Sequence, residues 1–437
     1  MDTQKLIIGL LSVFFSFPAL AQTSATEGTG ADFGFRLNFE SIYDENATRL
    51  PDDLEQSQVE ERQDRYSIDL TGQYNGQSTK FTADYNIARN VYNKSSQEDA
   101  TTRVGNALLF LGDELSRYDL ELEHNARRVL VNPEDELVIE NTRKQDVYTV
   151  VPSIKTRADK PTSMKLSALL NRVEFENEAS DNSKTRGTQL MVTHRLSKLR
   201  AISILGSSRY TDFEAGDDDD YNYRLYAVQF SSISRVTDFA LNVGYNEVLP
   251  ENRSNNHGVY YSVEGSFDYD LAQISFEASQ QYSDSSNNSG VDIVDSNIVS
   301  SGASNVTDQL ELTTFDLGLA TQSICSACTL SVSYSRQNLE YQNIVEENVV
   351  NSTMSVSGEY RRTRKLIFNL SYVHQKADFE LDFPDRNSET KISQAGATYL
   401  WNDRLSIRAL YKVIRRDDST NGYDSKILGL GFSIGLK

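Results

Sequence analysis

The four histidines of this 437-residue chain are the side chains best suited to acid–base catalysis. His124, His194, His257 and His374 fall in separate segments, and none of them begins a His-x-Ser pair. A hydrolase needs a nucleophile beside a base that a third group orients. The sequence shows no such grouping. We therefore predict that the protein is not an enzyme and needs no cofactor.

Carboxylates are concentrated in polar stretches between the apolar segments. The densest run is Asp217, Asp218, Asp219 and Asp220, and shorter runs include Asp52-Asp53, Glu134-Asp135-Glu136 and Glu346-Glu347. Carboxylates bind hard divalent cations, so these stretches could form a cation-binding rim. The alternative is a set of solvated loops, which the lack of an Asp-x-Asp-x-Asp-Gly motif favours. We predict no dedicated metal site.

The acidic balance also limits the partners. The net charge is −20, and no basic patch that could bind nucleic acid is evident in the sequence. A negative surface repels anions, so a neutral or weakly charged solute would be least hindered.

The only two cysteines, Cys325 and Cys328, lie in one short turn. A thioredoxin-like redox motif would require a βαβ context, and the flanking sequence shows none. In an oxidising compartment we expect a local disulfide that stabilises the turn.

The N-terminus indicates export. Lys5 precedes an apolar core, Leu6 to Phe17, and Ala19-Leu20-Ala21 forms a small-x-small cleavage site. This pattern predicts a signal peptide over residues 1–21. We expect a short periplasmic segment over residues 22–32 and a single domain over residues 33–437.

The mature chain alternates apolar and polar residues along many short segments. In the last one, Leu428, Leu430, Phe432, Ile434 and Leu436 share one face, and mostly small residues share the other. This period of two predicts strands with one apolar side. About 20 such segments (18 to 22 by different counts) are joined alternately by short turns and by longer loops. This layout predicts an all-β, antiparallel transmembrane β-barrel in the outer membrane of a Gram-negative bacterium.

Tyrosines at strand ends fit the aromatic girdles of such a barrel. These are Tyr43, Tyr74, Tyr210, Tyr245, Tyr282, Tyr341 and Tyr360.

Charged residues on the faces opposite the apolar ones are expected to line the lumen. They are Arg36, Glu40, Lys80, Asp84, Glu121, Glu123, Lys165, Arg195, Glu264, Glu277, Glu359, Arg408 and Lys412. A barrel of about 20 strands would be roughly 35–40 Å wide between backbones. The longest loop, Ser283 to Asn305, could narrow the lumen or could remain outside.

Short motifs give the chain a family resemblance. One is Ile42-Tyr43-Asp44-Glu45-Asn46-Ala47, another is the proline-containing strand Tyr148 to Ile154, and Asp/Asn-Tyr pairs begin several strands. On these motifs the chain resembles the porin-like outer-membrane β-barrels associated with exopolysaccharide and PEP-CTERM loci. It departs from their pattern by ending in Leu436-Lys437 instead of an aromatic residue. This departure bears on recognition by the barrel-assembly machinery.

Three functions remain open from the sequence. The resemblance implies a conduit linked to exopolysaccharide export, with polysaccharide-export partners. A second hypothesis is a general or sugar-selective diffusion porin for uptake. A third is a non-conducting surface scaffold or adhesin. In each case we expect outer-membrane lipid and lipopolysaccharide around the barrel.

Overall fold

The computed structural model describes most of the chain. The described residues are 30–49, 59–94, 96–113, 116–130, 142–156, 160–176, 182–214, 220–251, 255–284, 292–294, 297–299, 309–322, 324–342, 345, 348–380, 387–418 and 422–436. The predicted signal peptide, residues 1–21, lies outside them, as do residues 22–29. Within this part of the chain, no helix has the length and apolarity needed to cross a membrane.

Twenty strands form one antiparallel sheet that closes on itself, and two short strands form a separate hairpin. The strands are β1 Gly30–Asp44, β2 Glu61–Asn75, β3 Thr79–Tyr92, β4 Ala100–Leu111, β5 Tyr118–Leu130, β6 Thr142–Lys155, β7 Thr162–Phe175, β8 Ser183–Arg195, β9 Arg200–Phe213, β10 Tyr221–Ile233, β11 Thr237–Pro250, β12 Asn256–Tyr269, β13 Ala272–Asp284, β14 Asp292–Val294, β15 Asn297–Val299, β16 Gln309–Thr321, β17 Cys328–Tyr341, β18 Val349–Arg361, β19 Leu366–Phe379, β20 Ser388–Leu400, β21 Leu405–Asp418 and β22 Tyr423–Leu436. The predicted 20-stranded antiparallel barrel is thus confirmed.

The first and last strands close the barrel. β1 pairs with β2 on one side and with β22 on the other, from Phe35 opposite Leu436 to Asp44 opposite Ile427. Closure leaves no unpaired strand edge in the sheet, which is what a chain in hydrocarbon requires. The barrel begins at Gly30, three residues before the predicted start, because Gly30 to Asp32 continue the ladder with β2.

Alternation separates a lipid-facing surface from an inward surface. On β22, Leu428 and Leu430 are 55% and 61% exposed, whereas the adjacent Ile427 is 8% exposed. The same parity runs through neighbouring strands, since Phe39 lies opposite both Phe432 and Tyr66. A band of exposed apolar side chains therefore surrounds the barrel, as expected for a surface in contact with acyl chains.

The strands extend past this apolar band at the end that carries the long loops. There many outward positions are charged and form ion pairs, some within one strand and some between neighbouring strands, and we call this charged zone the collar. Examples are Arg224–Glu247, Lys426–Glu45, Lys376–Asp378 and Arg172–Glu174. Ionised side chains of this kind do not belong in hydrocarbon. The collar therefore marks where the barrel emerges into the headgroup region.

The tyrosine girdle is only partly as predicted. Tyr43, Tyr74, Tyr245 and Tyr360 are exposed on the outer surface. Tyr341 is not. Glu340 faces outward, and because side chains alternate along a strand, the next residue, Tyr341, faces inward. There it is 3% exposed in an apolar cluster. Tyr282 likewise packs against a buried cluster. The prediction was wrong at Tyr341 because tyrosine also fills the loop end of the interior.

Candidate functional site

The inner wall of the barrel is the surface from which a function can be argued. The register places all thirteen predicted lumen residues on the face opposite the exposed apolar one. Six are cationic and seven are anionic, so the wall has mixed charge. They are spread over many strands, and the structure brings only a few of them together.

Three carboxylates do lie in one row. Glu264 of β12 is directly opposite Glu277 of β13, and Glu277 is directly opposite Asp316 of β16. The predicted set contained two of the three, and only the register reveals the third. Among the described residues, no group of three His, Cys, Asp or Glu side chains is close enough to hold a metal ion. The row is therefore a local negative potential on the wall.

Hydroxyl pairs occur at five of the strand interfaces. Opposed Ser and Thr side chains on neighbouring strands hydrogen-bond to each other on the inward face. The pairs are Ser153–Ser167 (2.9 Å), Thr185–Thr211 (3.0 Å), Thr193–Ser203 (2.8 Å), Ser279–Thr314 (2.6 Å), Ser333–Ser355 (2.7 Å) and Ser406–Ser433 (2.6 Å). Within each pair one hydroxyl donates to the other, and the pair carries no charge. Sequence analysis missed them, because a serine in a strand gives no signal until its cross-strand partner is known.

The two ends of the lumen differ. Towards the short turns, inward residues such as Arg36, Thr82, Asp84 and Ser331 are exposed. Towards the long loops the wall is buried and includes three apolar clusters. These are Phe213, Tyr221, Tyr223, Leu225, Ala227 and Val248; Ile42, Ile392, Ile414, Tyr423 and Ile427; and Leu310, Leu312, Leu339, Tyr341 and Val349. The lumen is therefore open at the turn end and filled at the loop end.

The longest loop contributes to this filling. Its hairpin, β14 and β15, comes within 8 Å (Cα–Cα) of β5. β5 stands across the barrel from β13 and β16, the strands that the loop connects. β14 therefore lies beside a strand on the other side of the barrel from β13 and β16.

Lys412 illustrates how tightly the loop end is packed. It was predicted to line the lumen, and it does face inward, but its side chain is only 2% exposed. Beside it, at the seam between β1 and β22, Arg49 pairs with Asp44 at 2.7 Å and donates to the Ser425 hydroxyl at 3.0 Å. The Ser425 hydroxyl also donates to Asp44 at 2.5 Å. The turn after β1 is thus anchored inside the barrel.

Other predicted positions have simpler surroundings. Cys325 and Cys328 form a disulfide in the turn between β16 and β17. Asp217, Asp218 and Asp219 lie outside the described residues. Asp220 accepts hydrogen bonds from the Tyr210 hydroxyl at 2.9 Å and from the backbone N–H of Phe213 at 3.0 Å. It therefore fixes the base of its loop.

The structure also contains a grouping that the sequence did not reveal. On the outer surface the Tyr85 hydroxyl lies 2.5 Å from His124 Nδ1, and His124 Nε2 lies 3.3 Å from Asp146. The three residues belong to three different strands. Their contact depends on the register of β3 to β6, which the sequence does not supply.

Comparison with known proteins supports the fold alone. No protein-family model matches the chain, and no curated protein is significantly similar in sequence. A point mutant of the ferric enterobactin receptor PfeA from Pseudomonas aeruginosa is 8% identical, with a TM-score of 0.53, covering 94% of this chain and 81% of the receptor. A loop-deletion mutant of OmpT, an outer membrane protein of Vibrio cholerae, is 9% identical, with a TM-score of 0.38, covering 94% and 100%.

The likeness to the receptor agrees with the apolar band, the collar and the closed sheet. The chain is a 20-stranded β-barrel of the outer membrane.

Proposed function

We propose that this barrel is a conduit for neutral, hydroxyl-rich solutes and that it serves the export of an exopolysaccharide. The observation that carries the proposal is the inward row of Ser and Thr pairs. These uncharged hydroxyl pairs lie among the charged residues of the wall and offer weak, exchangeable hydrogen bonds to a solute. Such a wall suits the passage of a saccharide more than its tight binding. The role requires no catalysis.

The asymmetry of the lumen supports export. The turn end, which faces the periplasm in barrels of this kind, is open to solvent, whereas the loop end is buried. A solute arriving from the periplasm would meet an accessible vestibule. We propose that polysaccharide-export partners deliver the polymer there and that the barrel-assembly machinery inserts the protein.

A non-conducting surface scaffold is the second candidate. It is favoured by the burial of the inward residues at the loop end, including the three apolar clusters. A barrel whose lumen stays filled in this way does not conduct, and its role is to present its loops at the cell surface. A measurement of conductance distinguishes the conduit from the scaffold.

The test is permeation through the purified barrel in liposomes and planar bilayers. We expect measurable conductance and faster swelling with neutral oligosaccharides than with anionic ones of similar size. The double variant Ser333→Leu/Ser355→Leu should slow permeation of neutral sugars, because it replaces a hydroxyl pair with apolar groups. Val332→Leu, on the outer face of the same strand, is the matched control.

The absence of both conductance and swelling with correctly folded protein would reject the conduit and favour the scaffold. Equal permeation of neutral sugars through the wall variant and through wild type would reject the hydroxyl pairs as the basis of saccharide passage. Direction is tested separately in cells: export predicts that deleting the gene reduces surface polysaccharide, whereas an uptake porin predicts slower growth on the solute.

A further inference from the structure

A group of polar side chains lies on the outer surface at the upper edge of the apolar band. Tyr118 and Ile154 are an exposed, lipid-facing pair on β5 and β6. His124 lies six residues further along β5, nearer the long loops and on the same face, and it is opposite Tyr148. We call the group around them the Asp146 cluster. It consists of Tyr85, Arg103, His124, Lys144, Asp146 and Tyr148.

One carboxylate at the centre of the cluster is shared by several donors. Asp146 pairs with Arg103 Nη2 at 2.5 Å, with Lys144 Nζ at 2.5 Å and with His124 Nε2 at 3.3 Å. The side chain of Asp146 is 9% exposed, whereas those of Arg103 and Lys144 are 33% and 30% exposed. Arg103 and Lys144 are two cations against one carboxylate, and the adjacent Arg172–Glu174 pair, in which Glu174 lies opposite Asp146, adds no net charge. The anion is buried and the cations face outward.

Aromatic rings fix this arrangement. His124 stacks on Tyr148 with ring centroids 4.6 Å apart and on Tyr85 at 5.8 Å. The Tyr85 hydroxyl lies 2.5 Å from His124 Nδ1. The imidazole is thus held between two rings, which orients Asp146 and, through it, the two cations.

Other ion pairs of the collar have no net charge. Arg224 pairs with Glu247 at 3.2 Å, and Lys426 pairs with Glu45 at 3.1 Å. These pairs contain one cation for each anion. The Asp146 cluster carries a local excess of positive charge on a protein whose net charge is −20. It also contains the guanidinium of Arg103, whose Nε is buried without a hydrogen-bond partner.

We propose that the Asp146 cluster binds a phosphate group of lipopolysaccharide in the outer leaflet. Its height places the cations where the apolar band gives way to headgroups. Guanidinium and ammonium groups form charge-assisted hydrogen bonds with phosphate oxygens. A lipid bound there would keep its acyl chains against the apolar band below. This inference does not depend on whether the barrel conducts.

The experiment is native mass spectrometry of the detergent-purified barrel titrated with lipopolysaccharide. A second series uses the same lipid after enzymatic removal of its phosphates. We expect Arg103→Gln/Lys144→Gln to weaken binding of intact lipopolysaccharide about tenfold or more, since each lost contact is charge-assisted. Dephosphorylated lipid should bind wild type and variant equally weakly.

The matched control is Arg415→Gln/Lys426→Gln, which removes two collar cations that each pair with one carboxylate, Asp424 and Glu45. It should bind lipopolysaccharide as wild type does. Only variants that keep the heat-modifiable gel mobility of a folded barrel are compared, and Lys144→Gln alone replaces the double variant if that one does not fold.

Three results would overturn the proposal. The first is equal weakening by the control variant, which would indicate general charge attraction. The second is undiminished binding of the dephosphorylated lipid. The third is binding of inorganic phosphate alone as tight as that of the lipid, which would indicate a free-ion site.

Discussion

At the scale of single residues, the face on which a side chain lies determines whether it tolerates charge. Leu430 and Phe432 are exposed on the lipid face, and Ser433, next in sequence, points into the lumen, where it pairs with Ser406. Leu430→Arg or Phe432→Arg should lower the free energy of unfolding by about 2–4 kcal/mol if the position is near the midplane. Ser433→Arg should cost much less. Denaturant unfolding in lipid vesicles measures all three, and similar losses from both faces would contradict the assignment.

A second residue-scale prediction concerns pH and the loop after β9. The Lys184 ammonium, 2.7 Å from Glu214 Oε1, holds the pKa of that carboxyl below its usual value, with help from the Asn182 side-chain amide. A depressed folded pKa stabilises the protein above the unfolded pKa of about 4.3. That stabilisation is lost as the pH falls through the lower, folded pKa.

Glu214→Gln tests this linkage. At pH 7 it should lower the free energy of unfolding by at most about 1 kcal/mol, because the pair is at the surface. The difference from wild type should disappear in acid below the folded pKa. Glu176→Gln, at an exposed carboxylate after β7, serves as the control for replacing a surface carboxylate by an amide. A Glu214→Gln effect that is constant down to low pH would rule out the ion pair as its cause.

At the scale of elements, the seam between β1 and β22 depends on a buried ion pair. Arg49 and Asp44 are each less than 10% exposed, and Arg49 also donates to the backbone carbonyl of Asn46. Arg49→Met would leave Asp44 buried without its counter-ion, and such losses cost about 3–5 kcal/mol. Adding Asp44→Asn should recover much of that loss. Denaturant unfolding of the single and double variants measures the coupling.

The exposed Lys426–Glu45 pair in the same seam is the control. Lys426→Met should change the free energy of unfolding by no more than about 1 kcal/mol, because both side chains are solvated. If Arg49→Met were equally mild, the closure would depend on the backbone ladder alone.

The strands themselves were predictable from the sequence, but their loop ends were not. Alternation identified β7 as far as Leu170, where the outward residues stop being apolar. The strand continues to Phe175, and its last outward side chains are Arg172 and Glu174, which pair at 2.8 Å. Charged residues at alternate positions occur in loops as well as in strands. A single sequence therefore cannot distinguish a charged strand end from a loop.

The residues of the candidate site were also only partly predictable from the sequence. Period-two alternation correctly placed residues such as Glu277 and Arg408 on one face, because the side of a strand follows from parity alone. The hydroxyl pairs and the Asp146 cluster could not be predicted, because each joins residues from different strands. Neighbours of this kind are set by the register, which turn lengths specify only loosely.

At the scale of the whole molecule, the loop between β13 and β16 decides how open the barrel is. The sequence left open whether this loop folds inward. In the structure β14 reaches β5 on the other side of the barrel, and the inward residues at the loop end are buried. A barrel of 20 strands would otherwise enclose a wide aqueous space. In the described part of the chain, β14 and the three apolar clusters are the features that could narrow the outer end.

Deleting residues 287–304, with a short Gly-Ser bridge in their place, should widen that end. We expect single-channel conductance in planar bilayers to rise several-fold, because conductance follows the narrowest cross-section of the path. Removing residues 381–386 between β19 and β20 is the control and should leave conductance close to wild type. Both deletions spare the barrel strands, so heat-modifiable mobility should be retained. If the first deletion leaves conductance unchanged in folded protein, the apolar clusters of the wall, and not the crossing loop, close the lumen.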